Sequence, residues 1–554
     1  MVYMKLAALA PLLFSAEAFV LPGLFQQEFA TPELQQFLEV NGELTPQVIK
    51  ESLDANFWKP HVPYFLKPLV ETEKLQEKIQ LEDLNTTAQD LYELAKKSRK
   101  KYGHPTRVIG SPGHWATIDY ILEALDGMSD YYNYTLQEFD ALSGKVNSFN
   151  LTDAKTGISF PNSTAFSLSP PVKPFVGELI EIPNLGCNEA DYKSLEIFHG
   201  EQLEDNSVKK IALIERGKCP FGVKSNLAGK YGFHAAVIYD NEPENGGEGL
   251  HGTLGEPTNT TISTIGVSYD VGVLLVTNIE ITKHYSVKFA MDSTVSNIKT
   301  KNIIADTKHG DPENIVALGA HSDSVEEGPG INDDGSGTIS LLTVAKQLTH
   351  FKINNKVRFA WWSAEEEGLL GSNYYAYNLT QEENNKIRVF MDYDMMASPN
   401  YEYEIYDANN KDHPKGSEEL KKLYIDFYKH NKLNYTLIPF DGRSDYVGFI
   451  ENGIPAGGIA AGAEKNNVWN GQVLDRCYHQ LCDDLTNLAW DAFLINTKLI
   501  AHSVATYANS FEGFPLRNVN GTVNTTETSV ASTNNVYNEV PVPQFKYAAD
   551  YLVY

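Results

Sequence analysis

The chain has 554 residues, 42% of them hydrophobic and 11% aromatic, enough for two or three domains and at least one large core. Its formal charge of −27 creates a field that repels phosphate, which argues against nucleic acid and anionic membrane surfaces as partners. Acidity suits solubility and cationic substrates, and it is silent on fold.

In chain order, Lys5 comes first, ahead of the apolar run Leu6–Phe14, and Ala16-Glu-Ala18 has the small-x-small form of a cleavage site. Residues 1–18 therefore read as an export signal peptide. The run is shorter than the roughly 20 residues a spanning helix needs. No later stretch is long and apolar enough either, so no transmembrane anchor is expected. The four cysteines Cys187, Cys219, Cys477 and Cys482 lie beyond the signal and could pair fully in an oxidising compartment. Glycosylation sequons at Asn85, Asn133, Asn150, Asn162, Asn259, Asn378, Asn434, Asn520 and Asn524 fit the same route.

From Phe19 to about Pro60 the chain is acidic and weakly patterned. Two helical patterns follow, one with Leu84, Ala88, Leu91, Leu94 and Ala95 on a face, the other with Ile118, Ile121, Leu122 and Leu125. Tyr102 to Gly113 between them is rich in breakers and reads as a loop. From about Leu142 to Thr300 the texture is short strands punctuated by Gly, Pro and Asn, which suggests a separate inserted β-rich domain. Within it, Lys210–Glu215 and His234–Tyr239 read as strands and Ser225–Gly232 as a helix. Residues 300–514 alternate strand and helix, the pattern of an α/β sandwich. Its strands are expected at Ile315–Leu318, Val357–Trp362, Ile387–Met391 and near Ile459. Helices are expected along Ile339, Leu342, Ala345 and Leu348, and from Trp490 to about Phe511. The tail after Pro515 lacks period and reads as largely disordered.

Four polar clusters follow the apolar strands of the last region. The first runs from Gly319 to Gly337 and holds His321, Asp323, Asp333 and Asp334 in a Gly-rich turn. Zinc takes His nitrogen and carboxylate oxygen, and a ligating His commonly leans on a carboxylate, for which Asp323 has the spacing. The others hold Glu365, Glu366 and Glu367, then Asp392 and Asp394, then His479 between Cys477 and Cys482. Each has a plainer reading. The glutamates could favour a helix dipole, and the aspartates could cap a loop. His479 with its cysteines could belong to a structural zinc site, although no Cys-x-x-Cys pair completes one. A Cys477–Cys482 disulfide stiffening the His479 loop fits the compartment better. Four such clusters in order after strands point instead to one crevice at the strand ends.

His321-x-Asp-Ser, Gly330-x-Asn-Asp-Asp-Gly-Ser-Gly, Trp362-x-Ala-Glu-Glu-x-Gly, Asp394-Met and Cys-Tyr-His479 resemble the motifs of two-zinc metallopeptidases of the bacterial leucyl-aminopeptidase type. Arg216-Gly-Lys-Cys-Pro-Phe resembles a protease-associated domain. The resemblance spans nearly the whole mature chain. It implies an α/β/α sandwich with a mixed, mostly parallel central sheet and an inserted β-rich protease-associated domain. The expected layout is signal 1–18, propeptide 19–57, first part of the peptidase domain 58–141, inserted domain 142–299, catalytic domain 300–514 and tail 515–554.

The same resemblance implies an aminopeptidase with two zinc ions per chain. His321 and Asp394 would hold one, Glu366 and His479 the other, with Asp333 bridging and the Asp333–Asp334 peptide cis. A hydroxide between the ions would be the nucleophile and Glu365 the general base. Asp323 would orient His321, Tyr478 would steady the oxyanion, and Arg443 would line the substrate cleft. The implied substrates are peptides with a free N-terminus, taken by a monomer in the secretory pathway, in the vacuole lumen or outside the cell. Competing readings are a carboxypeptidase or glutaminyl cyclase on the same scaffold, or a binding protein that uses the protease-associated domain to capture partners.

Overall fold

Residue runs that are apolar on both faces need cover on both sides, and that requirement organises the C-terminal half of the chain. The computed structural model describes residues 63–198, 209–241, 243, 249–255 and 258–517. The expected signal and propeptide, the tail beyond Arg517, and the sequons at Asn520 and Asn524 lie outside these. Residues 63–67 fall in the first of two compact units, Met1–Lys67, and include a 3₁₀ turn at Tyr64–Leu66. All that follows lies in the second unit, Pro68–Tyr554.

Two helices lead in, α1 (Leu81–Ala95) and α2 (Pro112–Asp126). The Ser111 side chain caps α2 by accepting from His114 N at 3.1 Å, with Pro112 at the first helical position. Strand β1 (Tyr132–Asp153) then enters the inserted segment. That segment holds β2 (Ser163–Ala165), β3 (Val172–Glu181), α3 (Glu189–Phe198), β4 (Lys209–Glu215), α4 (Phe221–Lys230), β5 (Ala235–Tyr239), β6 (Thr264–Val267) and α5 (Tyr269–Thr282). Strand β7 (Ser286–Thr307) leads back out. The expected helix near Ser225 begins four residues earlier than the reading placed it. A disulfide joins Cys187 to Cys219.

The C-terminal half contains β8 (Asp311–His321), α6 (Gly335–Leu348), β9 (Asn355–Trp362), α7 (Leu370–Tyr377), a short helix Gln381–Lys386, β10 (Ile387–Tyr393), β11 (Glu404–Tyr406), α8 (Ser417–His430), β12 (Thr436–Ile438), α9 (Val447–Glu451), β13 (Ala456–Ala460) and α10 (Trp490–Asn509). Strands β13, β10, β8 and β9 are mutually parallel neighbours, and β7 joins β9 antiparallel. Side chains alternate across this sheet. Trp361 donates to Thr338 O of α6 on one face at 3.2 Å. Trp362 packs on the other face among Tyr375 of α7, Phe390 and Phe449 of α9. Helix α6 is itself packed against α1 and α10. This is an α/β/α sandwich with a mixed, mostly parallel sheet.

One feature differs from the expectation of short strands. β1 and β7 are each 22 residues long and pair antiparallel from Tyr132↔Thr307 to Asp153↔Val287. One end of this ribbon pairs with β9 of the C-terminal half and the other with β3 of the insert. The insert's remaining core is the parallel run β3–β4–β5–β6, buried on both sides. Ala141 pairs with Ile298, so the chain crosses between the two halves within paired strands and without a linker.

Candidate metal centre

Four parallel strands present their carboxyl ends at one edge of the sheet, the place where open α/β folds bind ligands. His321 is the last residue of β8. The Glu365–Glu367 turn follows β9, and Asp394 follows β10 directly. His479 arrives from the loop beyond β13, which the Cys477–Cys482 disulfide closes. The polar clusters stand here because each apolar strand is buried to its end, and only its last residue or those just after it reach the crevice.

The site is organised around Asp333. Its Oδ1 lies 3.3 Å from His321 Nε2, and its Oδ2 lies 3.1 Å from His479 Nε2. Beside His321 Nε2 stand Glu365 Oε2 at 3.7 Å and Asp394 Oδ1 at 3.8 Å. Beside His479 Nε2 stands Glu366 Oε2 at 3.2 Å. Asp323 Oδ1 lies 3.8 Å from His321 Nδ1, longer than a hydrogen bond, and its carboxylate accepts from the Glu365 and Glu366 amides at 3.4 Å. The Asp333–Asp334 peptide is cis.

A second set of groups holds the loops that carry these donors. Asp334 caps α6 by accepting from Gly337 N at 2.8 Å, and it also accepts from His321 N at 3.0 Å and Met395 N at 3.2 Å. One side chain thereby ties together the segments of His321, Asp333 and Asp394. Asp483 does the same from the disulfide loop, accepting from Asn332 N and Asp333 N, both at 3.0 Å. Arg107 is fully buried and donates to the carbonyls of Ser322, Pro329 and Gly330, bracing the turn between His321 and Asp333.

Burial makes these charges interact strongly. It opposes the charged form of His321, but Glu365, Asp333 and Asp394 outweigh it and hold the ring well above its ordinary pKa. Burial likewise opposes a charged His479, while Glu366 and Asp333 raise it to about 10. Asp333 shows the converse: burial would raise it, yet the two imidazoles hold it well below the carboxylate range. Burial, with Asp333, Asp445 and Glu366 nearby, raises Asp394 to about 7 against the pull of His321. Burial also raises Glu365 well above its ordinary value, with Glu366, Asp445 and Asp394 adding to it and His321 opposing.

The donor set suits a metal. Glu366 Oε2 and Asp394 Oδ1 are buried without a hydrogen-bond partner among the described residues, a costly state for an ionised oxygen unless a cation faces it. Ligand atoms of His321, Glu365 and Asp394 lie within 4.8 Å of one another, as do those of His321, Asp333 and Glu366. Imidazole and carboxylate donors fit zinc.

Beside the donors opens a cleft of about 680 Å³. Its walls carry Met395, Tyr406 and Ile438 together with Glu404, Asp441 and Glu464. Arg443 and Tyr478 also line it. Arg443 makes a bidentate pair with Glu464 at 2.7 and 2.9 Å, and it donates to the Tyr478 hydroxyl at 3.4 Å. The Tyr478 ring stacks on His479 with centroids 3.8 Å apart. The sequence reading named Asp334 without its bracing role, and it missed Glu404, Glu464, Ser444, which donates to Asp394 Oδ2 at 3.1 Å, and the bracing residues Arg107 and Asp483. No motif spacing announces them; each acts through a partner far away in the chain.

Residues 302–504 match Peptidase family M28, and residues 175–275 match the PA domain. Aminopeptidase Y of Saccharomyces cerevisiae is 68% identical over 539 residues, covering 97% of this chain and 96% of its own. A probable leucine aminopeptidase 2 of Aspergillus oryzae is 41% identical, covering 82% and 89%. Among solved structures, the aminopeptidase from Aneurinibacillus sp. strain AM-1 superposes with a TM-score of 0.65 at 25% identity, covering 79% of this chain and 96% of that one.

Proposed function

Since the chain belongs to peptidase family M28, we infer that it is a zinc-dependent aminopeptidase that releases the N-terminal residue of peptides and proteins. The observation that carries the reading in atomic terms is the Asp333 carboxylate, which turns one oxygen to His321 and the other to His479. A carboxylate so divided suits two ions. His321 and Asp394 would hold one, Glu366 and His479 the other, with Asp333 shared. Three carboxylates and two neutral imidazoles leave two Zn²⁺ ions with one net positive charge. Zinc in such a site polarises the scissile carbonyl and lowers the pKa of water toward 7.

The remaining steps fall to the chain's own groups. Glu365 takes the proton of the attacking water and passes it to the leaving amine. Asp323 steadies the His321 ring from its Nδ1 side, and Tyr478, held by Arg443, meets the oxyanion. The acidic cleft receives the substrate's α-ammonium, while Met395, Tyr406 and Ile438 accept its side chain. All donors come from one chain, which makes a monomer sufficient.

The competing chemistries are not favoured. A carboxypeptidase needs a cation for the terminal carboxylate; of the cations that line the cleft, Arg443 is engaged by Glu464, and Lys465 lies in the field of Glu404 and Glu464. A glutaminyl cyclase uses one zinc, and here five donors converge. A binding protein could lose donors, and none is lost. The export signal read at residues 1–18 and the two disulfides support a vacuolar or extracellular destination. No helix among the described residues is long and apolar enough to cross a membrane. The asparagines of the seven described sequons are exposed, as glycan attachment requires. We keep residues 142–299 as the inserted domain and 58–141 with 300–514 as the peptidase.

The decisive assay compares an aminoacyl anilide bearing a free α-amine with its N-acetylated twin. Hydrolysis of the first and not the second is expected. Equal rates on both would overturn the aminopeptidase reading.

A further inference from the structure

A loop of the inserted segment, residues 249–255, comes up beside the turn that carries Glu365–Glu367. Leu250 and Leu254 anchor the loop in the insert's core beside Phe166 and Phe221. Ser167 pins it further, donating its N–H to Gly252 O at 2.9 Å and accepting from Leu254 N at 3.0 Å. Between these anchors the His251 side chain is turned outward and exposed. The loop lies against the turn that carries the catalytic glutamates: a Cβ added to Gly368 would come 3.8 Å from Gly255 Cα. Lys145 of β1 pairs with Glu326 of the loop after β8 at 2.6 Å, a further tie between the ribbon and the loops of the site.

His251 has no hydrogen-bond partner among the described residues. The two charged groups whose fields act on it are His479 and Glu464. These also mark where the site opens. The Glu464 side chain is 37% exposed and that of His479 14%, whereas those of His321 and Glu365 are 1% and 3% exposed. With the substrate's first side chain among Met395, Tyr406 and Ile438, the rest of the peptide must leave through that mouth. A free imidazole can donate and accept at once, which suits the alternating N–H and C=O groups of a peptide backbone.

We propose that His251 is a substrate-contacting residue that hydrogen-bonds the peptide backbone within the residue or two after the scissile bond. The inserted domain thereby adds a binding surface for peptides that single-residue substrates do not reach. The proposal rests on the aminopeptidase reading. The test compares the full-length wild type with His251→Ala and His251→Gln on an aminoacyl anilide and on a tetrapeptide with the same first residue. His251→Ala is expected to raise KM for the tetrapeptide about tenfold, the effect of one hydrogen bond, with kcat and both anilide constants unchanged. Gln, which also donates and accepts, is expected to recover part of the loss. An unchanged tetrapeptide KM would overturn the proposal, as would an equal loss on both substrates, which would mean that His251 acts through the metal centre. A wild type inert on the anilide would instead sink the aminopeptidase reading itself.

Discussion

The Glu365→Gln enzyme is expected to lose about 10²- to 10⁴-fold in kcat, the usual contribution of a general base, while keeping its zinc and its KM. The change is nearly isosteric, and the side chain is buried, so the fold has little reason to respond. What disappears is a carboxylate able to hold a proton. Burial and the nearby Glu366, Asp445 and Asp394 raise the affinity of the Glu365 carboxylate for a proton against the pull of His321, which suits it to take one from water. The structure frames the rival role as well, because Glu365 lies within 4.8 Å of the His321 and Asp394 donors. Parallel measurement of zinc content and steady-state kinetics separates the two. Lost zinc would identify Glu365 as a ligand, and unimpaired kcat would remove it from the mechanism.

Asp333→Ala is expected to be more severe, lowering kcat/KM by about 10³-fold or more, as happens when a residue acting within a unit is removed. Both imidazoles lose their shared carboxylate, so zinc content should fall below that of the wild type. The main-chain brace from Asp483 uses the Asp333 N–H, which alanine retains. Circular dichroism should therefore show the wild-type fold. A variant with full zinc and more than a tenth of wild-type kcat/KM would show that Asp333 is not shared between ions.

The strands ending in His321, Trp362 and Tyr393 were legible in the sequence because buried parallel strands read as unbroken apolar runs, and the polar residues after them stand out. The long β1–β7 ribbon was not. β1 is buried at its two ends and mostly exposed or half-buried between them, so Leu142–Asn150 shows no period and reads as punctuation. The five donors lay within motifs and could be named. Arg107 could not, because it sits in a segment read as a breaker-rich loop and acts on carbonyls more than 200 positions away. Asp483 stands near the His479 motif, yet nothing local reveals that it holds Asn332 and Asp333. Glu464 faces the cleft, and Ser444 reaches Asp394, only because β13 and α9 bring their loops to the same edge of the sheet.

The central claim is a site for two zinc ions shared through Asp333. It is tested most directly by stripping the wild-type enzyme with a chelator and titrating zinc back, with metal content and aminoacyl-anilide hydrolysis followed together. Activity should be absent in the stripped enzyme and return fully as binding saturates at two ions per chain. Full activity at one bound ion, or in the metal-free protein, would contradict the account.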